Sequence, residues 1–134
     1  MGFQVELLVL FSMFFCHIVD DYYLQGILAS MKQKKWWETN ANEDFYKHDY
    51  KIALAEHGFS WAFVVSIPIL ITYFSTNNTE YIWVVLILIS FNSFFHAYID
   101  DAKANKHIIN LICDQTFHFA QIICTWFICV IVCL

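Results

Sequence analysis

Four long apolar runs alternate with three polar segments along the chain. A bilayer core is crossed by a helix of about 20 mainly apolar residues. Four stretches reach that length, at residues 3–24, 53–74, 81–99 and 108–134. The pattern predicts an all-α fold, a four-helix transmembrane bundle, formed by a single integral membrane domain over residues 1–134. Pro68, the only proline, falls inside the second run, where it predicts a kink. The spans contain no GxxxG, so close glycine-mediated helix dimerisation has no support.

Composition points to the same solvent. Of the 134 residues 60% are hydrophobic and 14% are charged, against about 25% charged in soluble domains. Too few charges remain to cover a water-facing surface, so lipid is the expected surrounding over much of the chain. A net charge of −5 and the absence of arginine argue against a nucleic-acid partner. Cys16, Cys113, Cys124, Cys129 and Cys133 all lie in apolar stretches without a CxxC pair. They read as small buried hydrophobes rather than as disulfide or thiolate sites. The amino-terminal run has no Lys or Arg ahead of it and does not read as a cleavable signal peptide.

Charge sets the expected orientation. Lys32, Lys34, Lys35, Lys47 and Lys51 lie in the first connection, residues 26–52, and Lys103 and Lys106 in the third, residues 101–107. The second connection, residues 75–80, has none. The positive-inside rule therefore places loops 26–52 and 101–107 in the cytoplasm and both termini on the non-cytoplasmic side. The long first loop carries Trp36-Trp37 beside its lysines, a composition suited to the headgroup zone. It reads either as an anionic-lipid contact or as a solvated loop that sets topology. Residues 45–57 read as a short interfacial helix leading into the second span. Asn77-Asn78-Thr79 matches a glycosylation sequon in the outer loop.

Ionisable residues inside spans are costly and point to function by default. Here they recur at one spacing. His17 and Asp21, His96 and Asp100, and Asp114 and His118 are each four apart, and His57 stands at the start of the second span. Residues four apart share a helix face, and an alternating topology brings all of these positions to the cytoplasmic ends. The stripes continue through Gln25, through Asn92 and Lys103, and through Gln121 and Thr125. Imidazoles with carboxylates form a ligand set for a divalent metal, zinc first and iron or manganese next. The candidate metal ligands are His17, Asp21, His57, His96, Asp100, Asp114 and His118. Asp21, Asp100, Asp114 and Lys103 are the candidate catalytic groups, with Lys103 placed to steady a developing negative charge or an anionic headgroup.

A bound ion would activate water and polarise a phosphoryl or carbonyl oxygen. The expected function is hydrolysis of a lipid-linked or amphipathic substrate. Two other readings stay open. A His–Asp network can simply tie helices together, and Asp/His chains also carry protons or ions in transporters. Asp20 and Asp101 read as supporting or surface groups, and His48 and His107 as solvated. Gln25, Gln115 and Gln121 read as interhelical hydrogen-bond donors, and Trp61 and the Phe14-Phe15 and Phe94-Phe95 pairs as packing or lipid-facing residues.

At these residues the chain resembles a family of small polytopic bacterial and phage inner-membrane proteins known as a domain of unknown function. The resembling segments are His17-x-x-x-Asp21-x-x-x-Gln25, the lone His57, His96-x-x-x-Asp100-x-x-Lys103 and Asp114-Gln115-x-x-His118. They run from the first span to the fourth. The resemblance implies a bacterial inner-membrane location and treats the polar residues as one site, without supplying an activity. The Arg-free composition, in which all seven basic residues are lysine, departs from typical bacterial members and fits a phage or AT-rich genome.

Overall fold

The computed structural model describes residues 2–41, 43–76 and 82–133. Among the described residues every regular element is helical. The first long helix, α1 (Phe3–Val19), passes into a π-helical turn, Asp20–Leu24. Three short helices follow, α2 (Leu28–Met31), α3 (Lys34–Asn40) and α4 (Glu43–Tyr46). The remaining long helices are α5 (Tyr50–Ser75), α6 (Ile82–Ala104) and α7 (Leu111–Cys133).

The apolar runs become helices close to the expected bounds, and each difference has a local cause. The second helix begins at Tyr50, so no separate interfacial helix covers residues 45–57. Ala53, Leu54 and His57 are already buried there, and packing extends α5 to its start. The third helix continues past residue 99 to Ala104 because Asp100 and Ala102 still face inward. The fourth begins at Leu111, where the Asn110 side chain accepts the Cys113 amide at 2.9 Å, satisfying a donor that the first turn leaves open. Pro68 sits inside an unbroken α5. The sequon Asn77–Thr79 lies outside the described residues.

α1 and α6 each pack against both α5 and α7, and α5 and α7 also touch one another. Between them Val9, Met13, Trp61, Val65, Ile69, Val85, Ile89 and Ile122 form a buried apolar core. The outer surface is also apolar, with Phe11, Phe15, Trp83, Phe94 and Phe127 exposed. A surface of that kind is unfavourable in water. Among the described residues three helical segments, Phe3–Leu24, Tyr50–Ser75 and Ile82–Ala104, are long and apolar enough to cross a membrane.

One glycine decides a helix contact. A Cβ on Gly58 would stand 2.5 Å from the Ser93 carbonyl oxygen and 3.1 Å from the Ala97 Cβ. The absence of a side chain there lets α5 and α6 approach closely, one residue from His57.

Candidate metal centre

Polar side chains gather where the ends of α1 and α6 meet the starts of α5 and α7. His17, Asp20, His57, His96, Asp100, Asp114 and His118 are all 0% exposed, and Asp21 is 5% exposed. Helices that meet in this way run alternately up and down. The convergence expected from the four-residue spacings is therefore present.

At Asp20 and Asp21 the chain leaves the regular α-helix for the π turn. Its widened ring is closed by the Gln25 amide on the Asp20 carbonyl at 3.2 Å, and both carboxylates enter the interior. Such single π turns recur at functional sites. Asp20 accepts the Ser60 hydroxyl at 2.8 Å, and its other oxygen lies 4.0 Å from His57 Nδ1. Asp20 is thus a buried supporting group rather than a surface one.

The possible ligand atoms fall into two groups that share Asp100, each with its atoms within 4.8 Å of one another. The first is Asp21, His57, His96 and Asp100. Here His57 Nε2 lies 3.3 Å from Asp21 Oδ1, 3.3 Å from Asp100 Oδ2 and 3.1 Å from His96 Nε2, and His96 Nε2 lies 3.8 Å from Asp100 Oδ2. The second is Asp100, Asp114 and His118. His118 Nε2 lies 3.5 Å from Asp100 Oδ1 and 3.5 Å from Asp114 Oδ1. These three atoms are buried, and among the described residues none has a hydrogen-bond partner.

His17 stands outside both groups. Trp61 Nε1–H donates to its Nδ1 at 2.8 Å, and its Nε2 meets Gln115 Oε1 at 3.0 Å. A neutral ring accepting at Nδ1 must donate at Nε2. Gln115 passes the orientation on, its amide donating to Asp21 Oδ2 at 3.2 Å and Asp114 Oδ2 at 3.1 Å. His17 therefore positions carboxylates through Gln115. His118 is held in the opposite sense, with Nδ1 against Gln121 Oε1 at 3.2 Å. Gln121 donates to the Asn92 side-chain oxygen at 3.2 Å, and Asn92 donates to Thr125 at 2.7 Å. An Nδ1–H donated to Gln121 leaves the His118 Nε2 lone pair free to bind a metal, the arrangement usual for histidine ligands.

Two lysines enter the cluster. Lys103 Nζ lies 2.5 Å from Asp114 Oδ2 and 4.0 Å from Asp100 Oδ1. Lys32 was not a site candidate in the sequence, where it reads as one of five loop lysines. Its ammonium is buried against Asp100 Oδ2 at 2.6 Å. The chain between α1 and α3 folds back beneath the centre, with Gly26 in the left-handed region at φ 50°, and Asn105 fastens it by donating to the Lys32 carbonyl at 3.1 Å. No periodicity signals such a return.

The other candidates fall apart from the centre. His48 and His107 are exposed, as expected. Gln25 donates to the Asp21 carbonyl within the π turn rather than between helices. Asp101 pairs with Lys106 at 2.7 Å on the outer side of the same helix end, and this hydrogen bond raises the Lys106 pKa. Cysteine burial holds for Cys129, whereas Cys113 and Cys124 are exposed and Cys16 is half-buried. No protein-family model matches the chain, and comparisons with curated proteins and with solved structures return no match.

Proposed function

We propose that this chain is a four-helix transmembrane bundle that binds a divalent metal at its cytoplasmic ends and hydrolyses a lipid-linked or amphipathic substrate there. In this reading both termini lie on the non-cytoplasmic side, and the family resemblance supports a bacterial or phage-encoded protein of the inner membrane. The observation that carries the metal reading is a set of buried donor atoms that make no hydrogen bond among the described residues. Asp100 Oδ1, Asp114 Oδ1 and His118 Nε2 face one another at the bottom of a polar cluster. Leaving such atoms unsatisfied is costly, and a cation between them removes the cost.

Spacing and charge agree with this. Ligands about 2.0–2.1 Å from a tetrahedral zinc stand about 3.3–3.4 Å apart, close to the 3.1–3.8 Å between the histidine nitrogens and their nearest neighbours in the first group and the 3.5 Å from His118 to each carboxylate in the second, with all atoms of each group within 4.8 Å. With neutral histidines, Asp20, Asp21, Asp100 and Asp114 carry four negative charges against two positive charges on Lys32 and Lys103. That negative excess favours binding of divalent cations. Zinc suits the mixed nitrogen and oxygen donors, and manganese or iron would also suit them.

A bound divalent ion would lower the pKa of a water and polarise a substrate oxygen. The residues supply the rest. Asp100 and Asp114 fix the ion, Asp21 shares in holding it, and Lys103, at the partly exposed rim, meets negative charge that develops on the substrate. A groove of about 280 Å³ between α6 and α7 supports a lipid substrate. Its lining includes Phe91, Phe95, Phe117 and Gln121, the residue that orients His118. Beyond Thr125 the interior is the apolar core, which favours an enzyme site over a path across the membrane.

The test is elemental analysis of protein purified in detergent, wild type beside His96→Ala and Asp114→Ala. Stoichiometric metal in wild type and its loss in the variants is the expected result. Wild type that takes up no divalent metal when supplied with zinc or manganese would overturn the reading.

A further inference from the structure

We infer that the centre is built for two ions, bridged by the Asp100 carboxylate, one in a closed site and one in an open site. This rests on the metal reading above and goes beyond it. The two ligand groups use opposite oxygens of Asp100. Oδ2 faces His57 and His96, at 3.3 and 3.8 Å, whereas Oδ1 faces His118 at 3.5 Å. A carboxylate that offers one oxygen to each of two donor sets is the bridge found in two-metal sites, where the ions stand about 3.5–4 Å apart.

The two positions differ in kind. The Asp21, His57, His96 and Asp100 position has four protein donors and is sealed, its members 0–5% exposed. Four protein ligands with no place for water describe a structural ion. The Asp100, Asp114 and His118 position has three donors, which leaves a fourth place for water or substrate, as catalytic zinc sites do. It also lies on the side of Lys103, whose side chain is 27% exposed. Two imidazoles at the closed position favour zinc, whereas two carboxylates and one imidazole at the open position also admit manganese or magnesium.

Support around the donors follows the same division. At the closed position Asp20 stands behind His57 Nδ1 and Trp61 stacks on His96 with ring centroids 4.2 Å apart. At the open position the Gln121–Asn92–Thr125 chain fixes His118, and Lys103 fixes the far oxygen of Asp114. Each ion would therefore have its own supporting groups, with Asp100 as the shared member. His96 and His118 stack with centroids 4.1 Å apart, which holds the two sites in register.

Manganese loading provides the test, read by metal content and by electron paramagnetic resonance on purified protein. Wild type is expected to take up two Mn(II) per chain and to show the broadened spectrum of an exchange-coupled pair. Asp114→Asn is expected to keep one ion and convert the spectrum to the hyperfine sextet of isolated Mn(II). Asp100→Asn is expected to lose the coupling. Circular dichroism and gel filtration of each variant separate loss of metal from loss of fold, and the wild-type stoichiometry needs no variant. Wild type that saturates at one ion with an uncoupled sextet would overturn the two-ion inference and leave the metal reading standing. No bound metal in wild type would overturn both.

Discussion

Two of the long helices end on the same pattern, a histidine followed four residues later by an aspartate, and the structure treats them differently. On α6 the helix stays regular, and His96 Nε2 and Asp100 Oδ2 lie 3.8 Å apart within one donor group. On α1 the helix widens into a π turn, which brings Asp20 in beside Asp21 while His17 is taken up by Trp61 and Gln115. Trp61 sorts the two histidines. Its N–H fills His17 Nδ1, and its ring face covers His96 without occupying a nitrogen. A spacing of four places two side chains on one face, but the neighbouring helix decides which of them remains free to bind.

The largest expected effect separates the two histidines directly. His96→Ala removes a donor, and binding at the closed position is expected to fail. His17→Ala removes a group that orients Asp21 and Asp114 through Gln115, and affinity is expected to fall by about 10–100-fold, the usual consequence of losing such support. Titration with zinc against a competing chelator measures both. Equal losses in the two variants would remove the distinction between ligand and positioning residue.

Close packing comes next in size. In Gly58→Ala the new methyl group meets the Ser93 carbonyl at 2.5 Å, and backbone cannot yield as a flexible side chain would. Overpacking of this kind costs about 1–3 kcal/mol, readable as a lowered midpoint of thermal unfolding in detergent. Because His57 is the adjacent residue and meets His96 at 3.1 Å, metal affinity is expected to fall together with stability. Unchanged stability would show that α5 and α6 can separate at no cost.

The sequence carried the convergence because it depends only on helical period and alternating direction. Asp21, His57, His96, Asp100, Asp114 and His118 all lie in the cluster for that reason. What it could not carry depends on departures from period or on distant chain. Asp20 enters through a π turn, His17 is claimed by a tryptophan 44 residues away, and Lys32 arrives on a chain reversal. The lysines that serve as topology signals looked alike, and only burial separates Lys32 from Lys34 or Lys35.

A smaller effect of opposite sign follows for Lys32. Its ammonium and an ion at the closed position compete for Asp100 Oδ2. Removing one positive charge from a buried cluster favours a divalent cation, so Lys32→Gln is expected to bind zinc more tightly, by about tenfold for each 1.4 kcal/mol of repulsion relieved. The same variant leaves Asp100 without its ion pair, and without added metal it is expected to unfold at a lower temperature. Weaker zinc binding in Lys32→Gln would make Lys32 a support of the site instead of a competitor.

The smallest expected effect tests whether backbone geometry or residue identity separates the two helix ends. Phe14 to Asp21 reads FFCHIVDD and Phe94 to Asp101 reads FFHAYIDD, so on the shared Phe and Asp pairs Asp101 stands where Asp21 does, with the histidines then offset by one. Without a π turn, however, the second aspartate of α6 points outward, where Asp101 pairs with Lys106 and accepts the Asn105 amide at 2.8 Å. Asp101→Asn is therefore expected to leave metal content unchanged, whereas Asp21→Asn lowers it. The raised Lys106 pKa places any contribution of the Asp101 pair below that pKa and removes it only as pH rises through it. Between pH 6 and 9, below the value of about 10.4 for a free lysine, the Lys106 side of this pair should add no pH dependence. Metal content of Asp101→Asn measured at both ends of that range should match wild type, and a loss at either end would place Asp101 inside the functional cluster.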